Sequence, residues 1–346
     1  MNRSLAGLLI AVIALVATGC SAGDTETEEI VLMTHGSFVV SDGVLEIFAE
    51  ETGITVSVIQ SADAGTMVSQ AILTKDNPVA DVLYGIDNTF LSRAIDEDLF
   101  LPHRAAAIDT VPESLRVQGD LVTPIDFGDV CLNLDPDRLE SLGLESPDRL
   151  VDLADGAYRG TLVVEDPSTS SPGLAFLLAT IATFGEDGTY PWQAYWRDLV
   201  TNDVRIVTGW DQAYYGEFSG GSGSGDRPIV VSYATSPVAE VYFGDLDAAP
   251  TTIVEDGCFR QVEYAGILNG TKAEATAGRL VDFLLEHTFQ EDVPLSMFVF
   301  PANSDTSLPG VFVDHAVIPA GSILMDPAHI DENREQWLAE WATVVR

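Results

Sequence analysis

From Ile30 to Asp87 apolar runs alternate with amphipathic ones in the order strand, helix, strand, helix, strand, and few folds accept that order. Ile30 to Thr34 reads as a buried strand, Val44 to Glu51 as an amphipathic helix stopped by Gly53, and Ile54 to Ile59 as a second strand. Asp63-Ala-Gly-Thr66 leads into a helix to about Leu73, and Asp81 to Gly85 forms a third strand ending in Ile86-Asp87-Asn88. Such units build a parallel sheet whose ligand crevice lies outside the carboxyl ends of the strands. His35, Asp63 and Asp87 all fall at those ends. Asp63 and Asp87 each also read as ordinary helix caps, and His35 as a turn residue.

Leu121 to Asn133 is extended and apolar despite Pro124, Asp126 and Gly128, and a helical pattern restarts after it, so it reads as a crossing into a second lobe. There the run Leu162 to Val164 is followed by Asp166-Pro-Ser-Thr-Ser-Ser-Pro-Gly-Leu174 and an apolar helix. Ser171 is the expected N-cap and Pro172 the first helical residue, which leaves hydroxyls and free N–H groups facing whatever lies in front of the helix. That arrangement suits an anionic or strongly polar group, and it equally suits a plain helix start. A strand at Val204 to Val207, a helix through Trp210 to Phe218, and a strand at Ile229 to Tyr233 follow. The Gly/Ser run Gly220 to Gly225 lacks nucleophile-elbow spacing and reads as a linker. Cys258 to Leu268 returns to the first lobe, Lys272 to Thr288 reads as a helix, Ser296 to Asn303 as an aromatic-rich loop, and Glu332 to Val345 as a closing helix carrying Trp337 and Trp341. The expected organisation is therefore α/β with two hinged lobes and two crossover strands. Residues 30–125 with 262–315 form lobe 1, 126–261 form lobe 2, and 316–346 form a C-terminal segment.

At the N-terminus, Arg3 precedes an uncharged apolar run from Leu5 to Ala17 that is short for a membrane span, which needs about 20 apolar residues. It ends in small residues, as an export signal does, and these lead into Cys20. The segment resembles a bacterial lipoprotein signal, which implies a signal at 1–19, a lipid-bearing Cys20 and a polar tether at 20–29. Extracytoplasmic, membrane-anchored placement follows from that reading. An even pair of cysteines then remains, and in an exported chain Cys131 and Cys258 are expected to be bridged. With 54 acidic against 16 basic side chains, the formal net charge of −38 argues against a nucleic-acid surface and against attraction to anionic lipid. The same charge suits a cationic ligand, although most of it solvates the surface.

Four blocks, Tyr84-Gly-Ile-Asp-Asn88, Asp166 to Leu174, Thr208-Gly-Trp-Asp-Gln-Ala-Tyr214 and Val231-Ser-Tyr-Ala-Thr-Ser-Pro237, resemble in order and spacing the thiamine-binding proteins of bacterial ABC importers. The resemblance runs from about Ile30 to Arg346. It implies a type II periplasmic-binding-protein fold, monomeric, that carries thiamine or a thiamine phosphate to an ABC permease, with no cofactor, no metal and no catalysis. The positions matching the family's ligand contacts are Asp63, Ala64, Ser170, Ser171, Trp210, Tyr233, Ala234, Thr235, Ser236 and Pro237, with His35, Asp87 and Phe298 in a second tier. His35, Phe298 and Ala239 depart from the family's usual aromatic residues, which reduces the stacking surface. Thiamine's cationic ring suits the aromatic faces of Trp210 and Tyr233, its exocyclic amine or charge suits Asp63, and its hydroxyl or phosphate end suits Ser170 and Ser171.

Two rivals share these features in part. A polyamine carrier also uses carboxylates and aromatics but has no use for the Ser170-Ser171 block. Tyr214-Tyr215 resembles the adjacent tyrosines of ferric-ion-binding proteins of the same fold. Consecutive helical side chains diverge by about 100°, however, so this pair is expected to split between core and solvent. A hydrolase finds no HExxH and no G-x-S-x-G here.

Overall fold

The computed structural model describes residues 28–346, so the expected export signal and the expected lipid site at Cys20 lie outside the described residues. Ten strands form one mixed sheet: β1 (Glu28–Thr34), β2 (Ile54–Gln60), β3 (Val82–Asp87), β4 (Phe100–Leu101), β5 (Thr123–Leu134), β6 (Leu162–Glu165), β7 (Arg205–Val207), β8 (Ile229–Tyr233), β9 (Thr252–Leu268) and β10 (Phe300–Pro301). β1 pairs in parallel with β2 and β3, and β6 pairs in parallel with β7 and β8. Between these two parallel halves run β5 and β9, antiparallel to each other, with β9 also bonded to β3 and β5 to β8. The order is β2-β1-β3-β9-β5-β8-β6-β7, and β4 and β10 add short pairings to β9 and β5. The two segments read from sequence as crossings are these long central strands.

Helices cover the sheet where the apolar periodicity requires. Ala64–Leu73 starts where the Asp63 carboxylate accepts the N–H of Ala64 at 2.8 Å, and it buries Met67, Val68 and Ala71 against the first half. The helix Ser171–Phe184 is apolar on nearly all sides and accordingly sits in the core, buried from Ser171 to Ile181 and packed on β9, β8 and β5. Its N-cap is Ser170, one residue before the expected one, and neither serine hydroxyl caps it. The stretch expected as one helix from Lys272 breaks into Glu274–Leu284 and His287–Ser296. The last helix begins earlier than expected, at Pro327, because Asp326 caps the N–H of Ala328 at 3.0 Å. It lays Trp341 edge-on against Trp196, with ring centroids 5.6 Å apart.

The β5–β9 ladder slips between Val130 and Leu132. Val130 faces Phe259 but Leu132 faces Val254, so residues 255–258 bulge out of the sheet. Cys131 is bonded to Cys258 across this slip, with Cα atoms 4.4 Å apart, and the Asp256 carboxylate accepts the N–H of Leu150 at 2.9 Å to hold the bulge down. The bridge thus pins the irregular part of the strand pair that joins the two halves. Replacing both cysteines by alanine is expected to lower stability by about 2–4 kcal/mol in a denaturant titration. Two free thiols in the unreduced protein by mass spectrometry would contradict the pairing.

Candidate ligand-binding site

A cavity of about 680 Å³ opens between the β1–β3 half and the β6–β8 half, within the size range of small-molecule sites. His35, just past the end of β1, and Asp63, just past the end of β2, enter it from one half. Trp210 and Tyr214, which follow β7, and Tyr233, at the end of β8, enter it from the other. Parallel strands place these side chains together because their carboxyl ends point the same way.

Asp63 spans the gap. Its Oδ1 caps its own helix, and its Oδ2 accepts the backbone N–H of Trp210 at 3.1 Å, so one carboxylate bonds both halves. Burial pushes its pKa up, opposed by the N–H groups of Trp210 and Ala64. Two residues along, Gly65 is hemmed in from both halves: a Cβ there would stand 2.8 Å from the Thr169 carbonyl oxygen across the gap and 2.8 Å from the Phe90 ring of its own half. Ser37 adds a longer contact, its hydroxyl donating to Asp211 at 3.4 Å.

The aromatic wall is built on Trp210. Its Nε1 donates to Ser232 Oγ at 2.8 Å, which lies 2.8 Å from Ser236 Oγ, and its ring stacks on Tyr214 with centroids 5.1 Å apart and planes 16° apart. Tyr215 meets the same indole edge-on at 5.3 Å. The expected helix here is a single π-helical stretch, Gln212–Glu217. Tyr214 and Tyr215 differ in exposure as expected, 4% against 47%, yet both line the cavity. The Tyr214 hydroxyl donates to Glu240 at 2.6 Å, and among the described residues no three or more His, Cys, Asp or Glu side chains are grouped so as to hold a metal ion.

His35 and Glu263 form the charged part of the floor, His35 Nε2 lying 3.3 Å from Glu263 Oε2. Gly85 makes room for the imidazole. At φ +96° on a β-bulge it has no side chain, and a Cβ would fall 2.2 Å from His35 Cδ2. Burial alone lowers the imidazole pKa, but the charge and hydrogen bond of Glu263, with Asp63 and Asp126 further off, bring it up to about 9. Asp126, opposite Glu263 in the β5–β9 register and bonded to the Tyr84 hydroxyl, is pushed well above the carboxylate range by burial and by Glu263.

Of the residues singled out from sequence, His35, Asp63, Ala64, Ser171, Trp210, Tyr233, Ser236 and Phe298 line the cavity. Asp87, Ser170, Ala234, Thr235 and Pro237 do not. The Asp87 carboxylate turns inward to the N–H and hydroxyl of Thr89, and burial brings its pKa up to about 6. Ser170 is fully buried behind the loop with its hydroxyl unpartnered, and Ala234 packs on the disulfide. Thr235 donates its hydroxyl to the Phe298 carbonyl, which helps hold Phe298 at φ +56°, and Pro237 lies in the first turn of the helix Ser236–Gly244. Sequence reading missed Glu240, Phe243 and Glu263. Ser236, Ala239, Glu240 and Phe243 follow i, i+3, i+4, i+7 spacing, a signal that marks one helix face. Glu263 carries no local signal.

Because the folded-state pKa of His35 lies above its ordinary 6.5, its ion pair stabilises the fold fully below about pH 6.5, and that contribution is lost as pH rises through 9. Thermal melts at pH 6.5 and 9.5 are expected to lose on the order of 3 kcal/mol more in the native protein than in His35→Gln, at about 1.36 kcal/mol per pK unit. Equal losses in the two proteins would remove the pair's role.

The profile of the family described as bacterial extracellular solute-binding protein matches residues 77–316. The thiamine-binding periplasmic protein of Brucella suis biovar 1 is 28% identical over 342 residues, covering 96% of this chain and 95% of that one. Its counterpart in Escherichia coli K12 is 26% identical over 330 residues, covering 94% and 96%. The solved structure of a periplasmic thiamin binding protein superposes with a TM-score of 0.83 at 24% identity, covering 94% of this chain and 98% of that one, which establishes the shared fold. With the family profile spanning most of a chain whose two sheet halves enclose one cavity, this protein belongs to the bacterial extracellular solute-binding proteins.

Proposed function

We propose that this chain captures thiamine between its two halves and delivers it to the permease of an ABC importer, held at the membrane by lipid on Cys20. The observation that carries the reading is a cavity that joins aromatic faces to carboxylates. Trp210, Tyr215, Tyr233 and Phe298 line it together with Asp63, Asp211, Glu240 and Glu263. A flat cationic heterocycle is the ligand such a wall suits, since a cation over an aromatic face gains about 0.5–2 kcal/mol and more as water is excluded. The relatives named as thiamine-binding cover nearly the whole chain, which supports the same choice.

The carrier works by binding alone, and no bond is made or broken. The Asp63 bond to Trp210 and the close approach of Gly65 to Thr169 are contacts that a closed form makes and an open form lacks. A ligand seated against Trp210 and Asp63 therefore favours closure by its differential affinity for the two forms. Iron fits less well. The Tyr214 hydroxyl is already engaged by Glu240 and its ring by Trp210, which leaves it poorly placed to serve as an iron ligand beside Tyr215.

The test is a calorimetric titration of the full chain, freed of carried-over ligand, with thiamine, spermidine and ferric citrate. Saturable binding of thiamine alone is expected, and silence toward thiamine with a response to either other compound would overturn the reading. Trp210→Ala and Asp63→Ala should each weaken thiamine by roughly 1–3 kcal/mol, through loss of a stacking face and of a charge-assisted bond. Unchanged affinity in both variants would displace the site.

A further inference from the structure

Resting on the thiamine reading, we propose that Gln261, which lies behind the cavity wall, is a positioning residue that makes the Tyr233 hydroxyl a hydrogen-bond donor for a ring nitrogen of the bound heterocycle. Gln261 is buried on β9, two residues before Glu263 and therefore on the same face of the strand. Tyr233 and Glu263 line the cavity, and Gln261 does not. Its Nε2 donates to Tyr233 Oη at 3.0 Å and to Glu263 Oε1 at 3.2 Å. The second oxygen of that carboxylate, Oε2, lies 3.3 Å from His35 Nε2, so one chain of polar groups crosses the floor from Tyr233 in one half to His35 in the other. Gly128 lets the phenol ring reach that far. It sits on β5, between β8 and β9 and opposite Gln261, and a Cβ there would stand 3.0 Å from Tyr233 Cδ1.

The acceptors available decide where each proton goes. An ionised carboxylate only accepts, so the amide must present its nitrogen, and not its oxygen, to Glu263. One hydrogen of that nitrogen then serves Glu263 and the other serves Tyr233, whose hydroxyl is the acceptor of the bond. The proton of Tyr233 itself is left over. It meets no acceptor among the described residues, and burial together with the charge of Glu263 pushes the phenol pKa well above its usual value, which keeps the proton in place. The cavity thus holds one donor hydroxyl among its carboxylates. An aminopyrimidine brings the converse set, an amine that donates next to ring nitrogens that accept. A protonated polyamine brings donors only, and a site built around a donor disfavours a ligand that leaves it unpaired.

The experiment is a calorimetric titration of the full chain with thiamine and with two analogues in which one or the other pyrimidine ring nitrogen is replaced by C–H. It is run on the native protein, on Tyr233→Phe and on Gln261→Met. In the native protein one analogue is expected to bind about three- to tenfold more weakly than thiamine, the usual worth of one hydrogen bond. That difference should vanish in both variants, because the hydroxyl is missing from one and its proton is released to turn toward Glu263 in the other. Thermal melts show whether each variant folds. If Gln261→Met does not, Gln261→Asn, which keeps the amide but withdraws it by one methylene, takes its place. Two analogues that match thiamine in the native protein, or a difference that survives in the Gln261 variant, would overturn the role of Gln261 while leaving thiamine as the ligand. Silence of the native protein toward thiamine would overturn the thiamine reading itself, and the role of Gln261 with it.

Discussion

The antiparallel ladder between β5 and β9 is the constraint on which the molecule depends. Each strand uses one edge for the other and its second edge for a different half of the sheet, β9 for β3 and β5 for β8. Neither half could keep its backbone groups satisfied at that edge without the pair. The same ladder determines where the cavity lies, because the parallel strands on both sides deliver their carboxyl ends to one side of it. Its interior polar groups are tied down accordingly. Arg260 grips Asp129 through two bonds of 2.7 and 3.0 Å, with its guanidinium 5.0 Å from the centre of the Phe127 ring. A change of twist in this short ribbon would rotate one half against the other.

Charge in and around the cavity is governed by burial and hydrogen bonding. Asp126, buried beside Glu263, and Glu165, buried behind the serine loop with both oxygens unpartnered, are each pushed well above the carboxylate range. The groups that face the cavity instead hold donors. Carboxyl groups within reach of a ligand thus have donors to meet them, whereas an ion in the surrounding core would cost several kcal/mol.

Much of the arrangement was legible in the chain because it is local. The alternation from Ile30 to Asp87 announces parallel strands, and the carboxyl ends of those strands announce His35 and Asp63. The fate of the serines was not legible. Ser171 reads as an N-cap by residue type, but the helix begins one residue earlier and both hydroxyls stay free, a difference that depends on how the loop packs over Glu165. Nor was the partner of His35, since Glu263 is 228 residues away and only the bulge at Gly85 brings the ring within reach. Tyr214 and Tyr215 show the limit from the other side. The helical period predicts their unequal exposure, while the π-helical stretch turns both toward Trp210.

Gly65 gives the molecule a mechanical stop with no clearance. The two halves approach at this residue until backbone meets backbone, and the separation there is less than one methyl group would occupy. Alanine would be welcome at this point of a helix on propensity alone, so local stability cannot be what keeps the position bare. Its emptiness makes room for Phe90 within its own half and for the Thr169 carbonyl across the gap. A side chain at 65 would press on the buried Phe90 ring of its own half and on the Thr169 carbonyl across the gap, and so hold Asp63 back from Trp210 and the cleft ajar.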